Sequence, residues 1–276
     1  MPKHSILIAR FPYGGMEDYH ITNYMMKLAI QLKKDKRFSD IMYQTYNDTP
    51  ITMTRNRAGL DAIKHEADFI MMIDNDMWPD YDATKPFFDS SIEFMLKHDG
   101  PCVVAAPYCG PPPHENIFVF LWRNLQSDHP SEIDFQLQQY TREEAAVRVG
   151  IEEVAALPTG LILMHTDVLK QMPEHPWFYY EYEGEYETEK GSTEDVTFTR
   201  DCSLNGIPVY CNWDSWAGHA KRKIVGKPRI LTADTVSRRA QMAVKRGITS
   251  DTKMTDLRPR RKKYGVPAIR ASRTGG

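Results

Sequence analysis

The chain has 276 residues, of which 41% are hydrophobic and 26% charged, and its formal net charge is −2. This length is enough for one large α/β domain, or two fused halves, with a sizeable core. The apolar stretch near the start is too short for a signal peptide, and no later segment approaches the length that crosses a bilayer. We therefore expect a soluble, cytoplasmic protein without a transmembrane segment.

The cysteines predict a reducing environment. Cys102, Cys109, Cys202 and Cys211 show no Cys-x-x-Cys spacing. The simplest interpretation is a set of reduced thiols, partly buried in or beside strands, and a zinc site is disfavoured.

The charge is unevenly divided along the chain. Residues 221–276 contain 7 Lys and 10 Arg against 3 Asp, a net charge of +14, whereas residues 1–220 carry −16. The sequence therefore predicts an acidic body over residues 1–220 and a basic C-terminal extension over residues 221–276.

Strand and helix signals alternate along the first half of the body, which predicts an α/β fold with a mostly parallel sheet flanked by helices. Thr54 and Thr84 are the expected caps of the second and third helices. The apolar periodicity predicts strands at about 5–9, 41–45, 69–73 and 102–106, and helices at about 21–34, 54–65 and 85–100.

The second half of the body is less regular. Its apolar runs predict a helical stretch near 142–149, strands at about 161–164 and 207–211, and a helix that opens at Ser192-Thr-Glu-Asp195 and ends at Asn205-Gly206. Between them, residues 180–189 alternate Glu and Tyr, which is typical of either a lid over a ligand or a polar edge hairpin.

The most informative feature is a pair of acids at the end of a buried strand. The apolar run 69–73 ends in Asp74-Asn75-Asp76, and Trp78-Pro79 follows. In open α/β sheets the ligand crevice lies beyond the carboxyl ends of the strands, so two carboxylates there are well placed to hold a hard cation that grips a diphosphate. The alternative is a plain turn, because Asp and Asn commonly bond to their own backbone.

Two sharper alternatives fail on the neighbouring residues. A calcium loop starting at Asp74 requires Gly at its sixth position and Glu at its twelfth, where this chain has Pro79 and Lys85. A phosphatase with an aspartyl nucleophile is disfavoured because Trp78 occupies the position expected to be Thr or Val.

Several motifs occur in a recognisable order. They are a first strand with an aromatic turn, Thr54-Arg-Asn-Arg57 at a helix start, Ile73-Asp-Asn-Asp76, Pro158-Thr-Gly-Leu161, Glu194-Asp195 and Gly218-His219. Together they resemble the GT-A fold glycosyltransferases, especially family 2. The resemblance spans roughly residues 4–219 and implies a nucleotide-sugar-binding half over 1–108 and an acceptor-binding half over 109–220.

The resemblance implies a metal site. Asp76, together with Asp74, would hold a divalent cation that bridges the phosphates of a nucleotide sugar, and His219 matches the late histidine that completes the metal shell in many such enzymes. Imidazole beside carboxylates favours Mn²⁺ over calcium, with Mg²⁺ as the other candidate. The alternative for His219 is a histidine that fills a tryptophan-rich pocket.

The resemblance also implies a catalytic base. Asp195 matches the acidic residue that accepts the proton of the attacking hydroxyl, and a carboxylate at a helix start is kept ionised by the helix dipole. The alternative is a capping box between Ser192 and Asp195, in which case Glu194 becomes the candidate base.

Residues that contact the donor are assigned by the same resemblance. The predicted contacts are Pro12 and Tyr13 on the nucleobase, Arg55, Asn56 and Arg57 on the base or phosphates, Asp74 and Asn75 at the strand end, Gly160 where a ligand approaches the backbone, and Trp216 on a sugar face. Alternatively, the arginines are solvated first-turn residues and the tryptophans belong to the core.

The acceptor is predicted from the basic extension. Its Lys and Arg clusters are suited to neutralising phosphates, so DNA with hydroxymethylated bases, modified by an enzyme of viral (phage) type, is the first candidate. The alternatives are a glycosyltransferase with a glycan, protein or lipid acceptor, a nucleotidyltransferase, and a non-catalytic nucleic-acid-binding protein.

Overall fold

The computed structural model describes residues 3–12, 18–47, 50–111, 115–125, 134–173, 176–183, 189–220, 224–225 and 227. Within these ranges the chain forms fourteen strands and six helices. The strands are β1 (His4–Phe11), β2 (Phe38–Thr45), β3 (Phe69–Asp74), β4 (Met77–Ala83), β5 (Val103–Ala105), β6 (Phe120–Leu125), β7 (Asp134–Gln139), β8 (Ile151–Val154), β9 (Leu161–His165), β10 (Glu181–Glu183), β11 (Glu189–Ser192), β12 (Val209–Asn212), β13 (Ser215–Ala220) and β14 (Ile224–Val225). The helices are α1 (Tyr19–Lys34), α2 (Ile51–Lys64), α3 (Phe87–Met95), α4 (Arg142–Ala146), α5 (Thr166–Gln171) and α6 (Glu194–Leu204).

The centre of the fold is a seven-stranded sheet in the order β2-β1-β3-β9-β5-β12-β8. Five of these strands run in one direction, and β9 and β8 run opposite to them. The sheet is therefore mixed and mostly parallel, which confirms the α/β prediction.

Alternating side chains of the central strands supply two hydrophobic layers, as the two-residue period of a strand requires. In β1, Leu7 and Ala9 point into a layer that also contains buried residues of α2, α5 and α6, while Ile6 and Ile8 point into a layer with α1 and α3. Every residue of the run Phe69–Ile73 is at most 1% exposed, because β3 lies between β1 and β9 and is covered on both faces.

A second, three-stranded sheet in the order β14-β13-β4 continues directly from the acidic turn. Pro79 lies within β4, although the sequence predicted no strand there; the chain turns at residues 75–76 and a new antiparallel strand begins at Met77. This sheet brings His219 opposite Met77 and therefore next to the turn.

Two helix caps differ from the sequence prediction. Thr54 lies inside α2, and the N-cap residue of this helix is Pro50. The hydroxyl of Thr54 donates to the carbonyl of Ile51. The α3 helix is capped without Thr84: the first amide, that of Phe87, donates to Asp80 Oδ1 at 2.7 Å.

The other structural predictions are met in part within the described residues: α4 ends at Ala146 instead of near residue 149, and the strands β6, β7, β8 and β13 were not predicted. All four cysteines are buried free thiols. The segment predicted as a lid or edge hairpin contains the antiparallel pair β10–β11. In the described part of the chain, no helix is both long enough and apolar enough to cross a membrane. Most of the basic extension lies outside the described residues, so its boundary at residue 221 stays a prediction.

Candidate active site at the carboxyl end of β3

Backbone hydrogen bonds hold the acidic turn at one edge of the central sheet. Asp74 is the last residue of β3. Its amide donates to the carbonyl of Gly160 at 2.8 Å, and this hydrogen bond connects the end of β3 to the start of β9. The Ala220 amide then donates to the Asp76 carbonyl, which ties the turn to β13. The turn is thus fixed from both sides at the carboxyl edge of the sheet, where ligands of open α/β folds bind.

Arg55 connects the acids of this edge. Its Nη2 donates to both oxygens of Asp74, at 2.9 and 2.8 Å, and its Nη1 donates to Asp195 Oδ1 at 2.8 Å. Glu194 Oε1 lies 3.7 Å from the same Nη1. Three carboxylates from two distant parts of the chain therefore share one guanidinium, and their charges raise the pKa of Arg55 despite its burial.

The carboxylates are only partly compensated by this one cation. Burial, with the neighbouring charges of Asp195 and Asp76, raises the pKa of Asp74 to about 6 even though Arg55 lowers it. Burial and the charge of Asp195 likewise raise the pKa of Glu194 to about 7. Near neutral pH, Glu194 therefore readily holds a proton.

The start of α6 shows whether Asp195 takes part in a capping box. The N-cap residue of α6 is Thr193, and no side chain makes a capping hydrogen bond there. The capping box between Ser192 and Asp195 is therefore not formed. Asp195 instead directs Oδ1 to Arg55, and its side chain stays 19% exposed.

Asp76 and His219 form a second group. His219 Nδ1 lies 3.2 Å from the carbonyl oxygen of Cys109, and Nε2 lies 3.2 Å from Asp76 Oδ2. Because a carbonyl can only accept, Nδ1 carries a hydrogen. A ring protonated at Nδ1 alone presents the lone pair of Nε2 to the Asp76 carboxylate. Two electron-pair donors that face each other suit a cation between them.

The donor set at this point is small. Among the residues that the structure describes, no group of three or more His, Cys, Asp or Glu side chains is arranged to hold a metal ion. Asp76 and His219 fit a divalent cation that keeps waters and takes its other ligands from a substrate diphosphate, which is the usual habit of Mg²⁺. Asp74, with both oxygens on Arg55, is less available, and its role as a direct ligand stays a prediction.

Tyr108 is a site residue that the sequence analysis missed. Its buried ring lies edge-on to His219, with ring centroids 4.9 Å apart, and its hydroxyl is 3.0 Å from where a Cβ on Gly160 would be. Burial, followed by the charges of Asp195 and Asp74, raises the pKa of Tyr108, so the phenol stays protonated. Gly160 is thus packed by protein atoms, Met77 Sδ and Tyr108, on the side where its side chain would stand.

The other residues predicted to contact the donor are dispersed. Asn56 is buried and fully used: Nδ2 donates to the carbonyls of Thr52 and Phe178, and Oδ1 accepts from the amides of Trp177 and Phe178. Arg57 is exposed on the outer face of α2.

Trp216 is fully buried beside Trp213, with ring centroids 5.8 Å apart, so it offers no ring face to a sugar and belongs to the core. Pro12 and Asn75 lie at the ends of β1 and β3, at the same edge of the sheet. Tyr13 lies outside the described residues. The donor contacts of Pro12, Tyr13 and Asn75 therefore stay predictions.

Glu194→Gln is expected to change how stability depends on pH. Because the pKa of Glu194 is raised in the folded state, its protonation contributes stability that is fully present below its ordinary pKa and is lost as the pH rises through about 7. Gln imitates the protonated form, so between pH 5 and pH 8 the variant should gain on the order of 2 kcal/mol relative to the wild type. Urea unfolding at both pH values measures this. The control is Glu143→Gln, at an exposed position of α4. If the free energies of unfolding of Glu194→Gln and the wild type differed by the same amount at both pH values, the expectation would be refuted.

Comparison with known proteins supports the fold. No protein-family model matches the chain, and no curated protein sequence matches it. Among solved structures it is similar to A197 from STIV, with a TM-score of 0.51 and 13% identity over 83% of this chain and 96% of that chain.

Lower scores relate it to a UDP-glucose pyrophosphorylase complexed with UDP-glucose (TM-score 0.36, 9% identity, 87% of this chain and 81% of that chain) and to a glycosyltransferase involved in the glycosylation of the major capsid of PBCV-1 (TM-score 0.28, 13% identity, 63% and 68%). At 13% identity, the similarity to A197 shows a shared fold. The two lower TM-scores carry no argument about the chemistry of this chain.

Proposed function

We propose that this chain is a metal-dependent glycosyltransferase that moves a sugar from a nucleotide-diphosphate sugar, with a UDP-sugar as the first candidate, to a hydroxyl acceptor with inversion. The observation that carries the proposal is the pairing of two groups at one sheet edge. In the first group, His219 Nε2 lies 3.2 Å from Asp76 Oδ2. In the second group, Arg55 donates hydrogen bonds to both Asp74 and Asp195. The first group suits a diphosphate-bound cation and the second suits a general base.

Each group has a distinct task in this proposal. Asp76 Oδ2 and His219 Nε2 would hold Mn²⁺ or Mg²⁺, which, when bound, neutralises charge on the departing diphosphate. His219 is oriented for this by its hydrogen bond to the Cys109 carbonyl. Asp195 would take the proton of the acceptor hydroxyl with its second oxygen, since Oδ1 is held by Arg55. The phenol of Tyr108, whose ring lies edge-on to His219, would donate a hydrogen bond to a ligand at this site.

A general base on the face opposite the leaving group favours inversion. In an inverting transfer, one carboxylate deprotonates the acceptor, which then attacks the sugar carbon directly and displaces the diphosphate. Asp195 lies at the start of α6, whereas Asp76 lies in the turn before β4 and His219 lies on β13. No separate nucleophile is required for this chemistry.

DNA with hydroxymethylated bases is the acceptor we propose first. The support for it is the net charge of +14 over residues 221–276, which is suited to phosphate neutralisation. A glycan, protein or lipid hydroxyl is the second acceptor class.

A donor screen tests the function. The full chain is incubated in Mn²⁺ buffer with labelled UDP-, GDP- and TDP-sugars and three acceptors: hydroxymethylcytosine DNA, hydroxymethyluracil DNA and plain glycans. We expect transfer from one donor class that is lost with chelator and restored by Mn²⁺. Accumulation of a nucleotide sugar from sugar phosphate and nucleotide triphosphate would show a nucleotidyltransferase instead, and DNA binding without turnover of any donor would show the non-catalytic alternative. Truncation after Lys221 isolates the extension: unchanged transfer to DNA with unchanged salt dependence would refute the DNA acceptor.

A further inference from the structure

The guanidinium of Arg55 is closed off from solvent. The Arg55 side chain is 1% exposed, and its Cζ lies 5.9 Å from the ring centroids of both Phe11 and Phe178. A buried cation is tolerated only when it is paired, and Arg55 is paired with Asp74 and Asp195 through three hydrogen bonds of 2.8–2.9 Å. Both terminal nitrogens thus donate to protein carboxylates, while the buried Nε has no hydrogen-bond partner among the described residues.

This arrangement leaves little of Arg55 for a ligand. A donor phosphate or base would have to compete with two carboxylates for the same Nη atoms and pass the two aromatic rings. The guanidinium fork is planar and rigid, so it fixes the orientation of both carboxylates that it holds. Nη1 donates to Oδ1 of Asp195, so Arg55 itself does not occupy the other oxygen of that carboxylate.

We propose that Arg55 is a positioning residue: it acts through Asp195, which it anchors to Asp74 at the end of β3, and it does not bind the donor. The inference rests on the proposed function, since it assigns the device that orients the base. Asp74 serves as the fixed end of this link because its amide is itself held by the Gly160 carbonyl at 2.8 Å. The link therefore couples α2, β3 and α6, three elements that must keep their spacing for the base to face the acceptor.

The first test is Arg55→Lys, which keeps the charge and removes the fork. We expect kcat for transfer to fall by about 10²-fold, as for other groups that orient a functional side chain, while the donor KM stays within about threefold. Arg200→Lys is the matched control, because Arg200 also joins two carboxylates, Glu181 and Asp201, but outside the site; its kcat should stay within about twofold. A large rise in donor KM with kcat unchanged would overturn the proposal in favour of direct donor binding.

A double-mutant cycle separates positioning from a general loss of structure. In the Asp195→Asn background, Arg55→Lys should reduce single-turnover transfer by less than about twofold, because the residue through which it acts is already disabled. Independent effects that multiply would contradict the proposal.

Two crystal structures provide readouts that need no activity. In wild-type crystals soaked with UDP and Mn²⁺, Arg55 should stay on Asp195 and Asp74, and rotation of the guanidinium onto UDP would overturn the inference even if Arg55→Lys failed to fold. In Arg55→Lys crystals, the Asp195 carboxylate should leave its position while the α6 backbone stays; an unmoved carboxylate would equally overturn it. A wild-type enzyme that transfers no sugar would defeat the proposed function, whereas the position of Asp195 in these crystals would still decide the role of Arg55.

Discussion

Asp195→Asn should reduce kcat for sugar transfer by about 10³-fold or more, because an amide cannot accept the proton of the acceptor hydroxyl. The substitution keeps the shape of the side chain and one acceptor oxygen for Arg55 Nη1, which lies 2.8 Å away in the wild type. Because the capping box at the start of α6 is not formed, no helix cap is lost, and the melting temperature should change by only a few degrees. Steady-state kinetics with the donor found in the screen measures kcat, and thermal unfolding measures the melting temperature.

The matched control is Asp167→Asn, which also replaces an acid in the first turn of a helix, α5, but at an exposed position. Its turnover should equal that of the wild type. Asp195→Asn with wild-type turnover and a strongly lowered melting temperature would show that Asp195 is structural. If both Asp195→Asn and Glu194→Gln lost turnover, the two acids would act as one coupled unit that shares a proton.

The acidic turn was predictable because it follows from local sequence. The apolar run 69–73 has the length of a buried strand, and the polar turn residues after it mark its end, so the position of Asp74 and Asp76 at the sheet edge followed from local sequence. The alternating strand and helix signals predicted the mostly parallel sheet for the same reason. The pattern of hydrophobic residues is a local property of the sequence, and each of these predictions rests on it.

The role of Arg55 was not predictable in the same way. Its partners Asp74 and Asp195 are 19 and 140 residues away in the chain, and no spacing rule indicates that they meet. In the sequence an arginine near a helix start is typical of a solvated or ligand-binding residue. Only the packing of α2 beneath the carboxyl ends of the strands turns it inward and buries it.

Tyr108 and Asp80 show two other limits. Tyr108 follows the predicted strand 102–106, so the rule applied to Asp74 also indicates that it lies at the functional edge, although no motif in the sequence marked it. Asp80 has a φ of 61°, a conformation that local pattern does not foretell for a non-glycine residue, and this lets it cap α3 in place of Thr84.

Asp76→Asn should have the largest effect on metal dependence. It removes the charge of one of the two side chains whose Oδ2 and Nε2 atoms lie 3.2 Å apart. Among the described residues, the site would keep His219 as its one strong ligand. We expect the apparent affinity for Mn²⁺ in the presence of UDP to fall at least tenfold and transfer to fall about 10³-fold. Isothermal titration calorimetry with Mn²⁺, with and without bound UDP, measures the Mn²⁺ affinity independently of turnover.

Asp74→Asn distinguishes a direct metal ligand from a carboxylate that only contacts Arg55. Asp74 accepts hydrogen bonds from Arg55 with both oxygens, so its substitution should lower turnover while the Mn²⁺ affinity stays within about threefold. Asp40→Asn, at an exposed position of β2, should change neither quantity. If Asp74→Asn weakened Mn²⁺ binding as much as Asp76→Asn did, both aspartates would be direct ligands and Arg55 would have to release Asp74 when the donor binds. If neither substitution changed Mn²⁺ binding, the acidic turn would hold no metal, because Asp76 and Asp74 are the acids that this turn presents at the end of β3.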